Sequence, residues 1–352
     1  MNQDTYHLLY YLLLLFFFFI GAICQQFKNN RYDNFPFCLL ISIILAIFVG
    51  SRNLYIGSDT LQYSTLFQQY SQYNLINISE YFKFGGEPLF KFAYKIIGLF
   101  FSYQGAMVIS SLTFLCLTYF FARGAVKLNG DGSIVIMFLC LLFSFVSWNE
   151  QVNIIRSGIG IGFLLLFLLS LYKKTISWTT FIYAICAIGT HFSTGIFIIL
   201  AIVAKYLNSN IYIYVYILSL GLAYFGYSIL NLGIFSSIDF EKAQSYITNL
   251  DSSSYETGFR LIFALYNTCF FLFVWKLRKY LSDFNKLVFR FYILASILFF
   301  FWFTIPYSDR IGAFSWTVIP VLYYLPLTCK FKRNKLLPVG AVILYGFVSF
   351  FV

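Results

Sequence analysis

Ile155-Arg156-Ser157-Gly158-Ile159-Gly160-Ile161-Gly162-Phe163-Leu164-Leu165-Leu166-Phe167-Leu168-Leu169-Ser170-Leu171-Tyr172-Lys173-Lys174 is an apolar run with an arginine at one end and a lysine pair at the other. It does not alternate polar and apolar residues, as the lipid-facing and lumen-facing positions of a closed β-barrel must. A stretch of this length and polarity reads as a helix that crosses a bilayer. Comparable runs recur near 6–26, 35–50, 105–122, 133–148, 176–190, 192–207, 211–230, 259–278, 288–305, 310–328 and 336–352. The 352-residue chain is 60% hydrophobic and only 11% charged, with mean hydropathy +0.79. That balance excludes a soluble domain of this size. The expected fold is all-α, a polytopic integral membrane bundle of about 12 transmembrane helices forming one domain over residues 1–352. Met1 to Ile20 lacks a positive leader and a small-residue cleavage site, so it reads as the first span.

Charge then orients the bundle. With these spans, 16 basic residues and 3 acidic ones share one face, including Lys173, Lys174, Lys276, Arg278, Lys279, Lys330, Lys332, Arg333 and Lys335. The other face receives 8 basic and 10 acidic residues. The positive-inside rule makes the first face cytoplasmic. The +11 net charge is thereby explained by topology, and nucleic acid is not an expected partner. The seven cysteines lie in or beside apolar runs without C-x-x-C spacing, as small buried hydrophobes do.

Two outer loops are long, 51–104 and 231–258. Counting the apolar stretch 88–102 as a span would place most cations outside. It reads instead as an amphipathic helix on the outer surface, with Lys91 and Lys95 on one face.

Five constellations gather on the outer side. Arg52 follows the second span, with Gly57, Asp59, Thr60 and Tyr63 close behind. Asn153 and Arg156 are three apart, hence on one face as their span begins. An arginine just inside an apolar run is costly unless it meets a cavity or a partner. Gly158, Gly160 and Gly162 mimic a phosphate loop, but their Ile and Leu neighbours favour close helix packing. His191 interrupts an apolar stretch where two short spans turn, whereas His7 reads as incidental. Arg260 and Arg310 each stand where a span enters from outside. One snorkelling arginine is ordinary; four at one depth are most economically read as a shared anion site.

At these residues the chain resembles the EpsG/Wzy group of O-antigen and exopolysaccharide polymerases. The resemblance runs through Arg52, Gly57, Asp59, Thr60 and Tyr63, then Glu87-Pro88-Leu89-Phe90, Asn153 with Arg156, His191 with Ser193, and Arg310. Ser157 stands where glutamine is expected. The resemblance implies a GT-C-like, metal-independent glycosyltransferase of the bacterial inner membrane with its site facing the periplasm, using no cofactor. It would move a growing glycan from undecaprenyl diphosphate to the non-reducing end of a lipid-linked repeat unit. Membrane lipids surround it, and a chain-length regulator is a candidate partner. In that chemistry Arg52, Arg156, Arg310 and Arg260 would hold the diphosphate. His191 would be the first choice of base and Asp59 the second, while Glu87, Asn153 and Tyr63 would meet sugar. A lipid-linked oligosaccharide flippase would place charges nearer mid-span and often show related halves. A membrane O-acyltransferase would not need several outer arginines.

Overall fold

The computed structural model describes residues 2–26, 34–73, 78–82, 87–173, 177–207, 211–227, 259–303 and 307–351. These are helical and contain no strand. The segment 231–258, expected as an outer loop and carrying Asp239, Glu241 and Glu256, lies outside the described residues. In chain order the helices are α1 (Gln3–Gln26), α2 (Phe35–Gly50), α3 (Thr60–Ser71), α4 (Ile78–Phe82), α5 (Pro88–Gly98) and α6 (Tyr103–Asn129). There follow α7 (Ile134–Leu142), α8 (Phe145–Val152), α9 (Ile155–Tyr172), α10 (Trp178–Thr190), α11 (Thr194–Tyr206) and α12 (Ile211–Tyr224). The last five are α13 (Leu261–Lys276), α14 (Asp283–Trp302), α15 (Ser308–Trp316), α16 (Ile319–Lys330) and α17 (Leu336–Phe350).

Among the described residues, five helical segments, one of them α15 with α16, are long and apolar enough to cross a bilayer, or six if the bent pair α7–α8 is one span. Six shorter apolar helices, α2, α10, α11, α12, α13 and α17, fall where the sequence places further spans. The chain is a helical membrane protein. Among the described residues the individually sufficient spans are fewer than the twelve expected, and some of the expected runs are short helices set apart by polar breaks. The 70° bend between α7 and α8 is one such break, and His191 marks another.

The longest helix, α6, sets the frame. Its 27 residues run about 40 Å at 1.5 Å per residue, from the segment that holds α3 to α5 to the cation-rich end. α2, α7 and α9 pack along it, and α14 packs against α11, α12 and α15. At its far end Asn129 Oδ1 accepts a hydrogen bond from Asn285 Nδ2 at 2.9 Å, joining α6 to α14. Buried Gln151 accepts from Ser111 and donates to the Tyr10 hydroxyl, both at 2.8 Å, fixing α8 against α6 and α1. Groups such as these must be satisfied internally where no water reaches them.

The amphipathic helix expected near 88–102 is α5, and its lysines do share a face. That face points inward onto α3. Lys91 is 1% exposed with its ammonium 5.9 Å from the centre of the Tyr70 ring, and Lys95 Nζ donates to the Ser71 carbonyl at 2.6 Å. Phe92, Ile96, Leu99 and Phe100 are left on the outside. A lysine along the surface of a water-lying helix gains nothing by turning in. One flanked by tyrosines and backbone carbonyls is held by them.

Candidate functional site

The site is built on α3, whose start is set by Gly57. That residue has φ +92°, and a β-carbon there would lie 2.5 Å from Val152 Cγ1 and 2.7 Å from Asn153 Oδ1. Only bare backbone lets this loop close on the junction of α8 and α9. Asp59 follows at the helix cap. Its Oδ2 accepts from Arg310 Nη2 at 3.0 Å, and Ser58 Oγ donates to its Oδ1 at 3.1 Å. Arg310 lies in the first turn of α15, its guanidinium carbon 4.7 Å from the centre of the Tyr307 ring.

One turn along α3, the Tyr63 amide donates to the Asp59 carbonyl at 2.9 Å. The Tyr63 ring is buried, and the Arg156 guanidinium carbon stands 5.8 Å from its centre. Arg156 Nη1 in turn donates to Glu87 Oε2. The other oxygen of that carboxylate, Oε1, lies 2.8 Å from Nδ1 of His191. Two ion-paired clusters, Asp59 with Arg310 and Glu87 with Arg156 and His191, thus flank Tyr63. His191 sits between α10 and α11 in extended backbone, where the helix stops and its side chain can swing toward α5.

Close packing brings these segments together. A β-carbon on Gly160 would lie 2.9 Å from Thr194 Cγ2 and 3.1 Å from His191 Cβ, and one on Gly189 would lie 3.0 Å from Leu89 Cβ. A β-carbon on Gly158 would lie 2.4 Å from the Glu150 carbonyl, and one on Gly162 would lie 2.9 Å from Leu117 Cβ. The glycines of α9 are therefore packing positions, as their apolar neighbours imply.

The backbone is strained at both clusters. Among the described residues, the non-glycine residues with positive φ are Glu87 (63°) and Tyr307 (62°). Each such conformation costs on the order of 1–3 kcal/mol and persists only where surrounding contacts impose it.

Burial alone would raise the Glu87 carboxyl. The hydrogen bond to His191 and the charges of Arg156 and His191 outweigh it and hold the group below the usual carboxylate range. Burial pushes the Tyr63 phenol up, and that of Tyr70 up to about 12, so both remain neutral donors at neutral pH. The side chains of Arg310, Arg156 and His191 are 39%, 27% and 23% exposed, so the charged row opens to the surface. Two groups in it are unspent: the buried atoms Arg156 Nε and Asn153 Oδ1 have no hydrogen-bond partner.

Of the residues singled out in sequence, the structure gathers Asp59, Tyr63, Glu87, Arg156, His191 and Arg310. Asn153 flanks them, its amide nitrogen donating to Asn149 Oδ1 at 2.8 Å. Arg52 is not brought into the row. It is 4% exposed and spends its donors on Thr60 Oγ1 (3.2 Å), the Val49 carbonyl (2.8 Å), the Val152 carbonyl (3.2 Å) and Met107 Sδ (3.6 Å). An inward arginine of this kind staples the loop between α2 and α3 to α2, α6 and α8. Arg260 stands at the head of α13 with its guanidinium carbon 5.5 Å from the centre of the Phe263 ring.

In the structure the carboxylate beside Arg156 is Glu87 and the one beside Arg310 is Asp59, neither of them a near neighbour in sequence. Glu150 is buried and accepts from Thr317 Oγ1 at 2.7 Å. Lys91, expected on a surface helix, faces inward, and Tyr70, which stands against it, was not singled out. The available signals were a lysine four residues after Glu87 and a tyrosine seven after Tyr63, both on helices whose direction sequence does not give.

No curated protein matches this chain and no solved structure does. A family model does, over residues 35–352, everything from α2 onward and so every residue of the charged row. Members of that family are polysaccharide polymerases. The match covers most of the sequence and includes each motif that carried the resemblance, and the chain belongs to the EpsG family.

Proposed function

We propose that this protein is a membrane glycosyltransferase that lengthens a lipid-linked polysaccharide. The growing glycan is taken from an undecaprenyl diphosphate carrier and joined to the non-reducing-end sugar of a new lipid-linked repeat unit. The observation that carries the reading is the shared carboxylate: Glu87 engages His191 through one oxygen and Arg156 through the other.

With Nδ1 donating to Glu87, the other imidazole nitrogen, Nε2, is the acceptor for a proton. It receives the acceptor sugar's hydroxyl proton as that oxygen attacks the anomeric carbon of the donor. The bond from that carbon to the diphosphate breaks, and its electrons pass to the departing phosphate oxygen. Arg310 and Arg156 meet the charge that grows there, with interactions stronger in the transition state than in the bound ground state. Ionised Glu87 steadies the imidazolium as it forms, as an acidic partner does in hydrolytic triads. The buried ring of Tyr63 stands beside the Arg156 guanidinium and Asn153 Oδ1 is buried too, so both support the charged row rather than present a face to sugar. Family membership supports the reaction class. Facing the periplasm of a bacterial inner membrane, in a GT-C-like fold of twelve spans, completes the reading.

Incubating the purified protein with lipid-linked repeat units alone tests this. A ladder of longer glycans is expected, with release of undecaprenyl diphosphate. Translocation of unlengthened units across a vesicle membrane would instead identify a carrier.

A further inference from the structure

At the opposite end of α6 a second polar feature lies in a cleft. Asp131, Gly132 and Ser133, Tyr324 and Thr328 of α16, and Phe331, Lys332, Lys335, Pro338 and Val339 line a small, half-open cleft of about 70 Å³. The cleft combines cations, a buried hydroxyl and an apolar side. Lys332 Nζ is paired with Asp131 Oδ2 at 2.9 Å, which neutralises the acid that would repel an anion. Lys335, exposed, contributes the net charge. Tyr324 is 2% exposed and its hydroxyl accepts the Ser133 amide at 2.9 Å, leaving its own O–H to donate. Phe331, Pro338 and Val339 continue the wall toward the outer side of α17, where Leu337, Ile343, Leu344 and Phe347 are exposed.

We propose that this cleft binds the phosphate of an anionic phospholipid from the leaflet at the cation-rich end. Lys335 and the Tyr324 hydroxyl hold the phosphate oxygens, Lys332 stands beside them, and an acyl chain lies along α17. Charge alone would favour any anion near so many lysines. The buried donor facing a cationic mouth favours a phosphate seated in one place. The apolar flank favours a lipid over a free ion. Bound there, the lipid bridges the α6–α7 turn and the α16–α17 turn, which Asp131 and Lys332 already join.

The full-length protein is tested in detergent by its unfolding midpoint with phosphatidylglycerol, phosphatidylcholine or inorganic phosphate added, and by native mass spectrometry for retained lipid. Phosphatidylglycerol is expected to raise the midpoint and stay bound, with the other two giving a small shift. Lys335→Gln should weaken the lipid effect about tenfold, the loss expected of one charge-assisted hydrogen bond. Tyr324→Phe should weaken it too, judged by the lipid-induced shift and not by the starting midpoint. Lys279→Gln, at the same end but outside the cleft, should leave it unchanged. An equal loss in Lys279→Gln would show diffuse attraction and overturn the site. Equal stabilisation by inorganic phosphate would overturn its assignment to a lipid. The assay reads no glycan, so its outcome is independent of the polymerase reading.

Discussion

Glu87 Oε1 lies 2.8 Å from His191 Nδ1 across 104 residues of sequence, while its other oxygen meets Arg156. One carboxylate thereby joins the N-terminus of α5, the first turn of α9 and the break between α10 and α11. Its left-handed backbone, unusual for glutamate, is imposed by that three-way attachment. Replacing it by glutamine preserves shape but removes the charge that fixes the imidazole. Glu87→Gln is expected to insert and fold while losing about 10²-fold or more in glycan elongation, and His191→Ala to lose about 10²–10⁴-fold. Gel ladders from purified variants measure both. Near-normal ladders from His191→Ala would remove the base from the proposed mechanism.

The depressed Glu87 carboxyl has a pH signature. A carboxylate held below its ordinary value of 4.5 adds stability that is fully present above that value. The contribution fades as pH falls through the lower folded-state value. The unfolding midpoint should therefore drop in acid more steeply in wild type than in Glu87→Gln, with the curves converging at the acid end. Parallel curves at every pH would show that the charge contributes nothing to the fold.

Arg310 and Asp59 form a partly exposed pair, so their mutual attraction contributes about 1 kcal/mol or less to stability. Arg310→Ala should leave the unfolding midpoint nearly unchanged while abolishing elongation, with single repeat units still delivered. Arg310→Lys keeps a charge but loses the planar fork, and should recover only part of the activity. Cell-surface glycan profiles beside membrane levels of each variant separate the two effects.

Arg52 is expected to behave in the opposite way. Its donors close the loop between α2 and α3 onto three helices, and alanine would orphan the Val49 and Val152 carbonyls. Arg52→Ala should cost about 3 kcal/mol or more and lower the amount of folded protein. Activity per folded molecule should fall far less than in Arg310→Ala. A well-folded but inactive Arg52→Ala would return this residue to the anion site.

Helix positions were legible because apolar runs and polar interruptions are local properties, and α9 begins and ends where Ile155 and Tyr172 place it. Asp59, Arg156, His191 and Arg310 were legible as charges without local excuse. Their pairing was not, since Glu87 and His191 are joined only when Gly160 and Gly189 let α9, α10 and α5 approach. Arg52 shows the limit most clearly. A guanidinium at the end of an apolar helix can reach outward to headgroups or fold back onto carbonyls, and the sequence is identical in both cases. The orientation of α5 was hidden for the same reason, because Lys91 and Lys95 mark one side of a helix without saying what covers it.

The bond between Asp59 and Arg310 spans 251 positions. During synthesis, a ribosome that has released residues up to His191 has already supplied the histidine and its acidic partner. The guanidinium that faces Asp59 emerges only a further 119 residues on. A product terminated between the two would carry an incomplete constellation in the bilayer, so competence waits on the helix that brings Arg310.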